Sequence, residues 1–243
     1  MVKFHGCPIG GTIDEVQRFL PNRHLLVSYH HPDQIESVAQ LSSSFIIDNG
    51  AFSFWKSGKG EVDFSGYHAF VQTWANHPRL DFCIIPDKIA GTEDDNINLV
   101  TRWLRTGSDV EGVPVFHFNE TLDYLDYLVN NFRTVALGSS SDAEPNSQSW
   151  WATMSKIMQV ACNKAGRPKC RLHGLRMLNP DIFTRLPLTS ADSTNVAVNS
   201  GSIARFGQYV PASRSLRAAV IAERIEIHPG AQRWQEFNQG SLF

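Results

Sequence analysis

The chain has 243 residues, 42% of them hydrophobic and 19% charged, which excludes a disordered chain and leaves room for one large domain or two small ones. Its 22 Lys and Arg against 24 Asp and Glu give a formal net charge of −2, so any contact with nucleic acid must come from a local basic patch and not from bulk charge. Cys7, Cys83, Cys162 and Cys170 are scattered, with no CxxC pair and no Cys/His cluster of zinc-ligand spacing, a pattern that excludes a structural zinc site and suits a reducing cytoplasm.

The amino terminus MVKFHGCPIGG lacks the apolar core of a signal peptide. No apolar run approaches the ~20 residues of a membrane helix. These features predict a cytoplasmic protein without a membrane segment.

Along the chain, short apolar runs alternate with longer amphipathic ones. VKFH (2–5) is the first candidate strand, followed by TIDEVQRFL with Thr12 as its N-cap. LLVSYH (25–30) precedes HPDQIESVAQL, and SFIID (44–48) runs into an Asn–Gly turn and a Phe–Ser–Phe–Trp cluster. DFSGYHAFVQTWANHP reads as a helix, then FCIIPD (82–87) as a strand and TEDDNINLVTRWLRTG as the next helix. PVFHF (114–118), TLDYLDYLVNNF and TVALG (134–138) continue the alternation. SQSWWATMSKIMQVACNKAG reads as the longest helix, ending at Gly166 with Pro168 just beyond. CRLHG (170–174), the short NPDIFTRL, LTSAD (188–192) and SLRAAVIAERIEIHPG complete the series. Eight strands, β-branched and Phe-rich, with helices between them predict a single-domain parallel (β/α)8 TIM barrel over residues 1–243. An open doubly wound sheet is the other architecture compatible with this order, but no GxGxxG opens a helix to support it.

In a barrel the informative positions are the C-terminal strand ends. They read His5, His30, Asp48, Asp87, His117, Gly138–Ser139, His173 and Asp192. Any one aspartate alone is most simply a turn or cap residue. Three carboxylates at one mouth repel one another and are partly desolvated, which makes function the better explanation for the set. His30–His31 before Pro32 reads as a turn, and His117 and His173 fit core histidines as well as site residues. Trp150–Trp151 with Met154, Ile157 and Met158 reads as the core face of a helix. Glu93, Asp94 and Asp95 read as a first turn favoured by the helix dipole.

The same segments resemble the tRNA-guanine transglycosylase superfamily. IIDNGAFS is similar to that family's DSGGFQ element, IIPDKI to its second aspartate strand, VFHFNE to its VQGG stretch and VALGSS to its GLAVGE stretch. RLHGLRMLNPDIFTRLPLTSADSTN is similar to its G-x-G-x-P…D-x-F-D-C segment. The IDNGAFSFW and ADSTN forms look closest to the DpdA branch, which exchanges guanine in DNA for 7-deazaguanines. The chain departs from tRNA-directed members in lacking the CxCxxC…H zinc site, its C-terminal subdomain and the PTRxARxG segment; after Asp192 it reads STNVAVNSGS.

The resemblance implies a DNA-guanine transglycosylase with Asp192 as nucleophile at C1′ and Asp48 as general acid/base. It implies Asp87 as the reader of guanine's N1–H and 2-amino group, with Phe52 stacking on the base and His117, Gly138 and Ser139 completing the base pocket. Expected phosphate contacts are Lys56 and Lys59 in SFWKSGKG, with Asn195, Asn199 and Arg205 beyond the nucleophile. Arg171, Arg176, Arg185, Arg214 and Arg217 add to a basic bias in the same third. No metal or organic cofactor is implied. The implied partners are DNA with guanine sites, a 7-deazaguanine base as co-substrate, and a partner protein or second copy in place of the missing subdomain. The competing readings are a tRNA- or nucleoside-directed relative, an inactive nucleic-acid-binding barrel, and an unrelated barrel hydrolase.

Overall fold

The structure is a computed structural model that describes residues 1–58, 62–138 and 143–235. Nine parallel strands form one sheet: β1 (Val2–Gly6), β2 (His24–Ser28), β3 (Ser44–Asp48), β4 (Leu80–Ile84), β5 (Gly112–Val113), β6 (Val115–Phe116), β7 (Thr134–Leu137), β8 (Arg171–Gly174) and β9 (Ser190–Ser193). Their order is β5-β4-β3-β2-β1-β9-β8-β7-β6. The two ends of that order are one stretch of chain interrupted by Pro114. Val113 O accepts from Ile85 N at 2.9 Å on one side, and Pro114 O from Ala136 N at 2.9 Å on the other. The sheet therefore wraps round into an eight-position α/β TIM barrel. A proline lacks the N–H that a continuous ladder would use, so this strand appears as two short pieces.

Period-two alternation divides each strand between lumen and shell. Phe4, Leu26, Ile46, Phe82, Ile84, Val113, Val115 and Ala136 pack together inside the barrel. Leu25, Val27, Phe45, Ile47, Cys83, Val135, Leu137, Leu172 and Ala191 face outward into the core shared with the helices. The rings of Phe4 and Phe82 meet edge to face at 6.0 Å, and His173 joins them at 6.1 and 5.3 Å. This aromatic plug closes the lumen beneath the mouth.

The helices are α1 (Ile13–Phe19), α2 (Ile35–Leu41), α3 (Ala51–Lys56), α4 (Phe64–Trp74), α5 (Glu93–Leu104), α6 (Leu122–Asn131), α7 (Gln148–Ala161), α8 (Pro180–Phe183), α9 (Asn195–Asn199) and α10 (Arg214–Glu226). Their starts follow local side-chain chemistry. Thr12 and Thr92 form capping boxes with Glu15 and Asp95, and Asp63, Thr121, Ser147 and Ser213 cap by side-chain acceptance. On α7, Trp150, Met154, Ile157 and Met158 face the core as the spacing predicts.

Two expectations are corrected. Helix α7 stops at Ala161 rather than Gly166, because Cys162 turns extended and bridges Pro168, with Gly166 (φ 73°) in the intervening turn. His5 does not reach the mouth: it is one residue out of phase with Phe4, faces the shell and lies 2.9 Å from Glu226 of α10. Among the described residues, no helix is long and apolar enough to cross a membrane.

Candidate active site

The register of the parallel strands lifts three aspartates to one end of the barrel. Ser28 pairs with Asp48 across β2 and β3, and Phe4 pairs with Asp192 across β1 and β9. Asp48, Asp87 and Asp192 line a single cleft of about 680 Å³ at this mouth, with His117, Gly138, Phe52 and Lys56 in the same wall. The fold brings these seven residues together. Lys59 and Ser139 lie outside the described residues.

Asp48 ends β3 and its Oδ2 accepts from Gly50 N at 2.9 Å. That contact needs a sharp turn, and Gly50 supplies it with φ 80°. A Cβ there would come within 3.0–3.1 Å of His30 and of Ser28 Oγ. Burial pushes the Asp48 carboxyl up to about 7, and the charges of Asp192 and Asp87 add to the rise, against the bonds from Gly50 and Ser28. The three acids therefore interact through space as well as sharing a wall.

Asp192 is held from two sides. Its Oδ2 lies 3.1 Å from His173 Nε2 and its Oδ1 accepts from Arg176 N at 3.3 Å. His173 is fully buried and its Nδ1 lies 2.8 Å from Ser190 Oγ. Opposite an ionised carboxylate, which only accepts, Nε2 is the donor of this pair and Nδ1 is the acceptor for the serine hydroxyl.

Asp87 is held by residues that lie far apart in sequence. Asn49 donates from Nδ2 to Asp87 Oδ1 at 2.7 Å and to Ile85 O at 2.8 Å, while its Oδ1 accepts from Ala51 N at 2.6 Å. His117 Nε2 sits 2.9 Å from Asp87 Oδ2, an ion-pair contact off the line of a well-formed hydrogen bond. For His117, burial opposes the charged ring most strongly, yet Asp87 and Glu120 outweigh it and raise the imidazole above its ordinary value. Glu120, itself raised by burial, accepts from His117 N and Asn96 Nδ2, both at 2.8 Å. Gly138 leaves room for this ring: a Cβ there would lie 3.3 Å from His117 Nδ1.

Phe52 lies at the cleft as expected, but one face of its ring is covered by the Arg176 guanidinium, 3.8 Å from the centroid. A base can use only the opposite face unless the guanidinium moves. Asn195 and Asn199 do not line the cleft; they bond to each other at 2.5 Å along α9. Arg205 is exposed on the short 3-10 turn Ile203–Phe206, also away from the cleft lining.

Sequence alone does not single out Asn49 or Ser28 as site residues, fits His173 equally as a core histidine, and leaves Arg176 as one of several arginines in a basic bias. Asn49 had a visible signal, its place between a strand-end Asp and a turn glycine. The others depend on partners 16 or more residues away. Cys7 also lines the cleft, but burial pushes its thiol up to about 12, which leaves it protonated and a poor nucleophile at neutral pH. Among the described residues, no group of three or more His, Cys, Asp and Glu side chains could hold a metal ion.

No protein-family model matches the sequence, and no curated protein matches it either. Among solved structures, the chain is similar to a protein of Aquifex aeolicus VF5 described as a structural study of a project target, with TM-score 0.52 and 10% identity over 93% of this chain and 92% of that one. It is also similar to the tryptophan synthase subunit alpha from Campylobacter jejuni, with TM-score 0.48 and 12% identity over 81% and 87% of the two chains. The likeness to the Aquifex aeolicus protein is one of fold alone.

Proposed function

We propose that the protein is a base-exchanging glycosyltransferase that replaces guanine in DNA with a 7-deazaguanine derivative through an aspartyl–sugar intermediate. The observation that carries this reading is the division of labour between two carboxyl groups in one cleft. Asp48 is pushed up to about 7 and can hold or release a proton near neutrality, whereas Asp192 is tethered as an acceptor by His173 and the Arg176 N–H. Two acids held in different environments are the arrangement that acid/base and nucleophilic work on a glycosidic bond requires.

In the first step an Asp192 oxygen bonds to C1′ as the C1′–N9 bond breaks. The bonding pair leaves with guanine, which takes the proton of Asp48. Guanine departs and the 7-deazaguanine enters. Its ring N–H gives the proton to Asp48, its nitrogen bonds to C1′, and Asp192 is released as a carboxylate. Two inversions give net retention, and Asp48 ends protonated as it began. The oxocarbenium-like transition states between these species are stabilised by the anionic mouth.

Asp87 reads the base. Each of its oxygens already accepts one contact, and a carboxylate has about four acceptor sites in all, which leaves capacity for N1–H and the 2-amino group. Adenine offers neither donor and is rejected. His117, steadied by Asp87 and Glu120, stands beside Gly138 at the same edge. Phe52 flanks the ring. Lys56 lies on the rim, suited to a phosphate.

The resemblance of IIDNGAFS and LTSAD to guanine transglycosylases supports the reaction, and the closeness of IDNGAFSFW and ADSTN to the DNA-directed branch supports DNA over tRNA. The test is incubation of the protein with guanine-containing DNA, single-stranded and duplex, and tRNA in parallel, each with a labelled 7-deazaguanine. Label entering DNA is expected. Label entering tRNA alone makes the protein a tRNA-directed relative. Binding of nucleic acid with no label in any arm favours an inactive binding barrel.

A further inference from the structure

We propose that Arg176 is a phosphate seat for the nucleotide whose base enters the cleft. The proposal deepens the reading of the cleft as a nucleotide site and rests on it. Charge is divided there: Asp48, Asp87 and Asp192 line the cleft, and the cations Lys56 and Arg176 share it from exposed positions. A guanine nucleotide has the complementary division, with N–H donors on one ring edge and an anion on the sugar.

Arg176 is held in position at a cost. It sits between β8 and α8 in a left-handed conformation, φ 59°, which is disfavoured for a residue with a Cβ. The other two non-glycine residues of positive φ are Asn22 and Asn146, a type that tolerates this region. Two contacts hold the arginine. Its backbone N–H donates to Asp192 Oδ1, and its guanidinium lies over the ring of Phe52 of α3, 3.8 Å from the centroid, so one residue links the surroundings of Asp192 to α3.

A contact with a ring face still leaves a guanidinium an N–H edge. That edge is the geometry that grips a phosphate with two parallel bonds. Among the described residues, no carboxylate forms an ion pair with Arg176. Three other arginines are engaged by protein partners. Arg214 and Arg217 donate to Ser200, Ala197 and Pro211, and Arg23 faces Glu223 and Glu226. A strained, stacked cation at an anionic cleft, without an acid of its own, is explained by an anion that arrives with the substrate.

The backbone makes the test clean. Arg176→Gly accepts the left-handed conformation and keeps the N–H to Asp192, while Arg176→Lys keeps charge and loses the planar fork. Binding of a fluorescent guanine-containing single-stranded oligonucleotide is measured over a salt series for wild type and both variants. Arg176→Gly is expected to weaken binding about tenfold at low salt and to reduce the slope of log affinity against log salt by about one. Arg176→Lys recovers part of that affinity. Competition by deoxyguanosine monophosphate against deoxyguanosine distinguishes the phosphate's source. A mononucleotide advantage that Arg176→Gly erases assigns the seat to a free phosphomonoester as well. A loss confined to the oligonucleotide assigns it to a strand phosphodiester. Unchanged affinity and slope in Arg176→Gly overturn the proposal. Failure of base exchange with Arg176-dependent phosphate binding intact sinks the proposed reaction and leaves the seat standing.

Discussion

His173 Nε2 lies 3.1 Å from Asp192 Oδ2 while the other ring nitrogen lies 2.8 Å from Ser190 Oγ, a buried relay that reaches the cleft at Asp192. The relay fixes the imidazole tautomer and aims the carboxylate. His173→Ala removes a packed ring from the Phe4–Phe82 plug and leaves the Ser190 hydroxyl and an Asp192 oxygen without their partner. We expect a loss of about 3 kcal/mol in stability by denaturant unfolding. His173→Gln, which can still donate to Asp192, should recover much of the turnover that His173→Ala loses, with kcat affected more than KM.

Asp48 gives the protein a pH signature. Its carboxyl is raised to about 7 in the folded state, above the ~3.9 of an unfolded chain. Between those values the folded state binds more protons than the unfolded one, so the contribution of this group to stability is full below pH 4, falls as pH rises, and levels off above 7. Asp48→Asn should flatten that segment of the stability profile and raise stability at pH 8 by about 1 kcal/mol, because one of three mutually repelling charges is gone. Base exchange should be lost in the same variant. A profile between pH 4 and 8 identical to wild type contradicts the assignment.

Gly50 ties the backbone to that carboxyl. Gly50→Ala places a side chain at φ 80° and within 3.1 Å of Ser28 Oγ and of His30. We expect a stability loss of about 2 kcal/mol and a larger fall in exchange than in oligonucleotide binding.

Asn49 fastens β3 to β4. Asn49→Ala leaves Ile85 O, Ala51 N and Asp87 Oδ1 without the bonds they receive or give. A loss of about 2 kcal/mol is expected. Discrimination between guanine and adenine bases, measured by competition, should weaken, because Asp87 loses one of its two anchors.

The fold was legible wherever one short segment decides its own structure. The eight apolar runs became the eight barrel positions, and Thr12, Asp63, Thr121 and Ser147 cap their helices through bonds two or three residues away. The splitting of one strand at Pro114 follows from a missing N–H, and His5 was one residue out of phase with the lumen; both were in reach of local reasoning. Helix α3 was hidden in an aromatic cluster, and α9 is a five-residue helix without a side-chain cap. At the site, the three aspartates could be found because each follows an apolar run. The partners that set their roles could not. Asp87 meets His117 across 30 positions, and Arg176 reaches Phe52 only after the barrel closes.

The central claim is that Asp192 bonds to the sugar while Asp48 handles the proton. The most direct measurement is to mix the protein with a guanine-containing oligonucleotide, quench under denaturing conditions, and locate any protein–DNA linkage by peptide mapping. The account predicts an adduct on Asp192 that Asp192→Asn abolishes. Base exchange without an adduct, or an adduct on Asp48 or Asp87, would contradict it.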